Sequence, residues 1–163
     1  MSTFTSTEVK LRTLALQDPT MLADLGPNNP GDEFRWYNRQ LLQNKIGEMV
    51  TPGSLVRVTR ISTLPYYNQG GLMPMNAPRF QLDVLDFDSE RCRKVANDLK
   101  IFLNGVDLMT NAQFTSPVGP FYQNPCFLLN QRAGMISNPA SPRGPVFVES
   151  LDYRIYSDES ISI

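Results

Sequence analysis

The pattern that most constrains the fold is an alternating strand followed at once by an amphipathic helix. Residues 79–87 alternate apolar and polar side chains, which is typical of a β-strand with one buried face. Ser89 is the predicted N-cap of a helix that is expected to end at Asn104 and Gly105. Its apolar side chains recur at the i, i+3, i+4, i+7 spacing of one helix face: Cys92, Val95, Ala96, Leu99, Phe102 and Leu103. The two segments together predict a sheet with a helix packed on it.

Three further segments have strand character. Residues 55–61 place Val56 and Val58 on one face, and we expect this strand to pair with 79–87 as an antiparallel hairpin. Residues 126–133 and 145–156 complete the set. The hairpin also predicts cross-strand ion pairs, and the residues involved are Arg57, Arg60, Asp83 and Asp86.

The N-terminal segment is predicted to be helical. Thr5 and Glu8 form a capping-box pattern, and the apolar stripe after them is Val9, Leu11, Leu14, Ala15 and Leu16. Asp18 followed by Pro19 predicts a second short helix, whose buried face would be Met21, Leu22 and Leu25. Residues 34–50 fit a short strand and then a short helix or an irregular connection.

These elements predict an α+β fold. We expect an antiparallel sheet of about four to five strands, with two main helices packed on one face and long projecting loops. The chain has the length of one domain, 1–163, and no linker divides it. Within this domain, 5–25 would be the helical segment, and 54–156 would hold the hairpin, the helix and the two C-terminal strands.

The side chains that catalysis and metal binding most often use are scarce. The chain has no histidine, so Ser-His and Cys-His nucleophile pairs cannot be built, and its two cysteines are too few for structural zinc. The acidic run at 83–88 lacks the glycine and glutamate of a calcium loop. Gly70 and Gly71 lack the neighbours of a phosphate-binding loop. The sequence therefore predicts a protein that is not an enzyme, with no catalytic, metal or cofactor-binding site.

The charge balance, the cysteines and the hydropathy of the chain restrict which partners and which cellular environment suit it. Fifteen basic residues against sixteen acidic ones give a net charge of −1, which argues against primary nucleic-acid binding. Cys92 and Cys126 lie among apolar residues and are predicted to be buried free thiols. No stretch reaches the length of a membrane span, and the N-terminus lacks a secretory pattern, so a soluble protein is expected.

Candidate interface residues lie in two apolar, proline-rich segments and on the helix. Segment 62–78 is predicted to be a long loop, and its apolar content suits an interface or a loop folded back on its own domain. Segment 106–125 poses the same alternative. The basic residues on the helix suit either a solvated face or contact with an acidic partner. The candidates are Tyr66, Tyr67, Leu72, Met73, Met75, Phe114, Phe121, Tyr122, Arg93 and Lys100.

Five residue runs resemble the phage tail-completion family, which includes tail terminators and tail-to-head joining proteins. They are LRTLALQDPTMLADLG at 11–26, VRVTRIS and RFQLDVLDFD in the strand pair, SERCRKVANDLKIFLNG at 89–105, and VFVESLDYRIY at 146–156. The resemblance implies a virion protein of the tail or neck, assembled in the host cytoplasm. It also implies a homo-oligomeric ring, usually a hexamer, whose partners are the major tail tube protein and the head connector or stopper. DNA would pass through the lumen only as cargo, and no membrane is involved.

Two alternatives to a tail terminator stay open. One is another ring of the neck, such as a stopper or head-completion protein. The other is a monomeric protein-binding module, since apolar projecting segments serve either role.

Overall fold

The protein is described by a computed structural model at residues 6–26, 33–38, 41–62, 65–68, 71–76, 78–107, 112–113, 126–137 and 143–158. The helices are α1 Thr7–Gln17, α2 Pro19–Leu25, α3 Ile46–Val50 and α4 Ser89–Asn104, with a 3-10 turn at Gln43–Lys45. The strands are β1 Trp36–Tyr37, β2 Leu55–Ser62, β3 Pro65–Asn68, β4 Gly71–Asn76, β5 Arg79–Asp86, β6 Val106–Asp107, β7 Ala112–Gln113, β8 Cys126–Ile136, β9 Val146–Ile155 and β10 Ser157–Asp158. The α+β class is thereby confirmed.

The main sheet has five strands in the order β1-β2-β5-β9-β8. The predicted hairpin of β2 and β5 is confirmed, and β9 pairs antiparallel with both β5 and β8. The expectation of a wholly antiparallel sheet is wrong at one edge, where β1 runs parallel to β2 with Trp36 opposite Val56. The 3-10 turn and α3 lie between these two strands, and such a crossover returns the chain in the same direction.

The main core packs α1, α2 and α4 against one face of the sheet. The strands contribute alternate side chains: Val56, Val58, Phe80, Leu82, Val84, Leu151, Tyr153 and Ile155. All six predicted apolar residues of α4 are buried in this core. Trp36 of β1 meets Phe102 of α4 edge to face, with ring centroids 6.2 Å apart. The apolar side chains of the strands and of the helices thus pack together in one apolar layer.

A second, smaller core lies on the opposite face of the sheet. Leu55 and Leu85 point to this side, where α3 covers them with Ile46 and Val50. The prediction that two main helices pack on one face is therefore confirmed by α1 and α4, and the short helix α3 packs on the other face. The physical reason is that this end of β2 and β5 carries apolar residues on both faces.

The helix caps differ in detail from the prediction. Ser6, not Thr5, caps α1, and Glu8 pairs with Arg60 of β2 at 2.8 Å instead of closing a capping box. Asp88, not Ser89, caps α4, because its carboxylate accepts from two backbone N–H groups and suits the positive end of the helix. Asp18 caps α2 as expected.

Three residues of the predicted apolar stripe on α1 and α2 are exposed rather than buried. They are Val9 at 49%, Leu16 at 37% and Leu22 at 43%. The helices are short and touch the core along a narrow face, so apolar residues at its margins stay in contact with solvent.

The described residues of segment 62–78 form paired strands where a long loop was predicted. Strands β3 and β4 pair antiparallel, and β10 pairs with the other side of β4, which gives a separate three-stranded sheet. Backbone pairing thereby satisfies polar groups that an irregular loop would leave to water.

Asp86 connects the start of α4 to the sheet. Its buried carboxylate accepts from the Arg91 guanidinium at 2.6 and 2.7 Å, from the Asp88 backbone N–H at 2.8 Å and from the Ser54 hydroxyl. Burial raises the pKa of this carboxyl, but the bonds from Arg91, Ser54 and Asp88 outweigh it and hold the pKa below its ordinary value.

Of the predicted ion pairs, that of Arg57 with Asp83 forms at 2.6 Å, whereas Arg60 binds Glu8.

Replacing Asp86 with asparagine should lower the free energy of unfolding at pH 7 by about 2 kcal/mol, because the charge-assisted bonds to Arg91 are lost. The stabilisation is present above the ordinary aspartate pKa of about 3.9 and is lost as the pH falls through the lower folded-state pKa. The gap between wild type and Asp86→Asn should therefore close in acid. Urea denaturation at stepped pH measures this, with Glu48→Gln as an exposed control. A gap that stays constant down to low pH would contradict the assignment.

Both cysteines are buried free thiols, as predicted. Burial raises the pKa of Cys92 to about 12 and also raises the pKa of Cys126. The Cys92 thiol lies 3.2 Å from the Val84 carbonyl oxygen, which accepts from it.

Neither thiol should react with a soluble disulfide reagent in the folded protein at pH 8, because the thiolate is disfavoured and covered. Both should react after unfolding in urea. Absorbance of the released thiol measures the labelling rate, and rapid labelling without denaturant would show that one cysteine is accessible.

Candidate assembly interface

The predicted interface residues fall into three groups in the structure. Tyr66 and Tyr67 lie on β3, and Leu72, Met73 and Met75 lie on β4. Arg93 and Lys100 lie on α4. Phe114, Phe121 and Tyr122 lie outside the described residues.

The first group shares a backbone ladder. Tyr67 is the register partner of Leu72, and Met75 is the partner of Asp158 on β10. The structure thus brings the two strands and the C-terminal segment into one small sheet. The role of these residues in an interface stays a prediction.

The second group borders a polar groove between α4 and β8. The groove encloses about 700 Å³ and is lined by Ser89, Glu90, Arg93, Lys94, Asn97, Lys100 and Gln131. The Arg93 guanidinium lies 3.8 Å from Glu149, and Lys100 donates to Gln131 at 3.1 Å. Both predicted cations thus have a partner within the protein, but only that of Arg93 carries a negative charge.

Lys94 is the most strongly paired cation of this groove. It donates to Asp98 at 2.7 Å and to Asp24 at 3.1 Å, and these two bonds raise its pKa. Burial raises the pKa of Asp24, and the bond from Lys94 opposes that rise. The pairing ties α2 to α4 and supports the helical layer.

Among the described residues, four of the ten exposed large apolar side chains lie on β8, a strand that the sequence pattern did not indicate as an interface. This strand has eleven residues, and every one from 127 to 135 is exposed. Among the described strands, β8 pairs with β9 alone, so it forms an edge of the main sheet. Its exposed apolar side chains are Phe127 at 45%, Leu128 at 44%, Leu129 at 48% and Met135 at 64%.

Strand β8 has few of the features that usually protect a sheet edge. It carries one charged residue, Arg132, and neither lysine nor proline. A register shift between Leu128 and Asn130 places one extra residue in the strand, so apolar groups project on both faces. A long edge with free backbone groups and apolar side chains suits pairing with a strand from another chain.

A sequence signal for this surface was present. Residues 127–129 form the run Phe-Leu-Leu, which breaks the apolar-polar alternation expected of a strand with one buried face. The strand itself was predicted, but its position at the edge depends on long-range pairing that a local pattern does not specify.

The described residues offer little for other site chemistry. Within the ranges given above, no three His, Cys, Asp or Glu side chains converge as metal ligands. In the same part of the chain, no helix has both the length and the apolar character needed to cross a membrane.

No protein-family model and no curated protein sequence matches the chain. Among solved structures, the chain is similar to one in the structure titled "Virion of native gene transfer agent (GTA) particle". The identity is 12% and the TM-score 0.55, and the match covers 93% of this chain and 94% of that chain. At this identity the likeness shows a shared fold over nearly the whole of both chains.

Proposed function

We propose that this chain is a structural virion protein, a tail terminator or tail-completion subunit that acts as a single domain over 1–163. The observation that carries the proposal is the exposed β8 edge, which suits a subunit completed by its neighbours. The shared fold with a chain from a virion particle supports the same role.

The proposed mechanism is assembly into a ring. A closed ring requires two different complementary surfaces on each subunit, related by a rotation that closes. Strand β8 supplies one of them, since a strand added there would gain main-chain hydrogen bonds and cover Phe127, Leu128 and Leu129. The ring, a hexamer in this proposal, would occupy the end of the tail tube in the virion and stop its growth.

Three contacts follow from that position. One side of the ring would meet the major tail tube protein, and the other would present a new surface to the head connector or stopper. DNA would pass through the lumen as cargo, and a chain with a net charge of −1 avoids tight binding to its phosphates.

A monomeric binding module is a second candidate, because an exposed sheet edge can also accept a peptide from an unrelated protein. A stopper ring is a third. These candidates differ in oligomeric state and in the particle defect that follows loss of the protein.

Leu128→Lys should abolish self-association, because a charge on an edge strand opposes pairing with a second strand. Light scattering over a concentration series measures the mass, and wild type should reach a closed multiple of 18.4 kDa. Leu22→Lys is the matched control, since Leu22 is 43% exposed on α2 and should leave the oligomer intact. Wild type that remains monomeric at every concentration, together with a Leu128→Lys protein that still supports infectious particles, would contradict the proposal.

Deleting the gene for this chain from its phage should give overlong or ragged tail tubes, since nothing then occupies the last ring. Negative-stain electron microscopy measures tube length. Leaky heads beside normal tubes would instead indicate a stopper, and normal particles would exclude both ring functions.

A further inference from the structure

The sheet face opposite α4 carries a cluster of charged residues beyond the small apolar core. We call it the arginine face, and its members are Arg57, Arg79, Arg132, Arg154, Asp83 and Asp152. Strand pairing brings them together: Arg57 lies opposite Asp83, Asp83 opposite Ser150, and Arg79 opposite Arg154. Four guanidinium groups thus share the face with two carboxylates.

At one end of the arginine face, the charged side chains form hydrogen bonds with one another and with neighbouring polar side chains. The Asp83 carboxylate, 1% exposed, accepts from Arg57 at 2.6 and 3.1 Å, from Gln81 at 2.8 Å and from Ser150 at 2.6 Å. Arg132 donates to the Gln81 side-chain oxygen at 3.2 Å. This end has little capacity left for a ligand.

At the other end, some buried polar atoms have no hydrogen-bond partner among the described residues. Arg79 donates to Asp152 at 3.1 Å, yet the Nε atoms of Arg79 and Arg154 are buried without a hydrogen-bond acceptor among the described residues. The Oδ1 atom of Asp152 is also buried without a hydrogen bond, and Arg132 lies 3.9 Å from it. In that same part of the chain no carboxylate pairs with Arg154. The Arg79 side chain is nevertheless 42% exposed, so this end of the face is open to a ligand.

Two arginines in direct cross-strand register repel each other, and a buried N–H without an acceptor loses its hydrogen bond to water. A carboxylate placed against the exposed part of the pair would reduce this repulsion, because its charge is opposite and its two oxygens match the fork of a guanidinium. The arrangement is costly for a subunit alone and favourable once an anion is present.

We infer that Arg79 and Arg154 bind an Asp or Glu side chain from an acidic segment of a neighbouring protein in the assembly. The inference rests on the proposed function for the presence of that neighbour. The site adjoins the proposed interface, because Arg154 is the register partner of Phe127 on β8. Phe127 in turn packs edge to face on Tyr156, with ring centroids 5.7 Å apart.

A protein carboxylate fits this site better than a nucleic-acid backbone. Asp83 and Asp152 lie on the same face and would repel a run of phosphates, whereas one or two carboxylates need only the local excess of positive charge. The chain as a whole has a net charge of −1, which gives no long-range attraction for DNA.

The test uses NMR of the arginine Nε–Hε groups in the full chain, titrated with acetyl-Glu-Glu-Glu-amide. The Arg79 and Arg154 signals should shift with this peptide and not with acetyl-Gln-Gln-Gln-amide. Arg154→Gln should weaken binding of the acidic peptide by about tenfold, because one charged donor is lost. Lys45→Gln is the control, since Lys45 is exposed and lies in the 3-10 turn rather than on the arginine face.

A thermal unfolding scan separates binding from folding. Arg154→Gln should leave the midpoint unchanged or raise it, because the substitution removes a charge that the isolated chain does not pair. Absence of shifts with the acidic peptide would overturn the inference, as would tighter binding of a thymidine oligonucleotide at the same two arginines. A wild type that forms rings while ignoring the peptide would refute this site and leave the proposed function standing.

Discussion

The antiparallel pairing of β9 with its two neighbours determines most of this structure. Strand β5 pairs with β9 over eight residues, from Arg79 opposite Arg154 to Asp86 opposite Phe147. Because side chains alternate across a strand, this register sends Phe80, Leu82 and Val84 toward α4 and places the arginine face on the other side. The same strand pairs with β8, which takes the edge position. A slip of one residue would exchange the apolar and charged faces.

The two faces of the main sheet differ in composition and in their contribution to stability. The face under α1, α2 and α4 buries the main core and fixes the fold, and burying one leucine there contributes about 1.5–3 kcal/mol. The opposite face is closed by α3 at one end and carries the arginine face at the other. Stability therefore resides mainly on the helical side. On the other side, the Nε atoms of Arg79 and Arg154 have no acceptor among the described residues, and β8 pairs there with β9 alone.

The sequence predicted the elements with strong local periodicity and missed those fixed by distant pairing. The apolar face of α4 and the β2–β5 hairpin followed from residue spacing alone. The parallel β1 depends on a crossover through α3, and the competition between Asp88 and Ser89 for the cap depends on geometry that a pattern does not contain. The candidate interface shows the same limit. The edge position of β8 and the Arg79–Arg154 pairing both arise from strand order, which no single segment specifies.

We propose that β8 is an open edge in the free subunit and is covered on assembly. Hydrogen–deuterium exchange of the amides at 126–136, in the isolated protein and in assembled rings or tails, can measure this. A set of β8 amides should exchange quickly in the isolated protein and become protected after assembly, while the β5 amides should be protected in both states. Slow exchange of every β8 amide in the isolated protein, or no gain in protection on assembly, would contradict it.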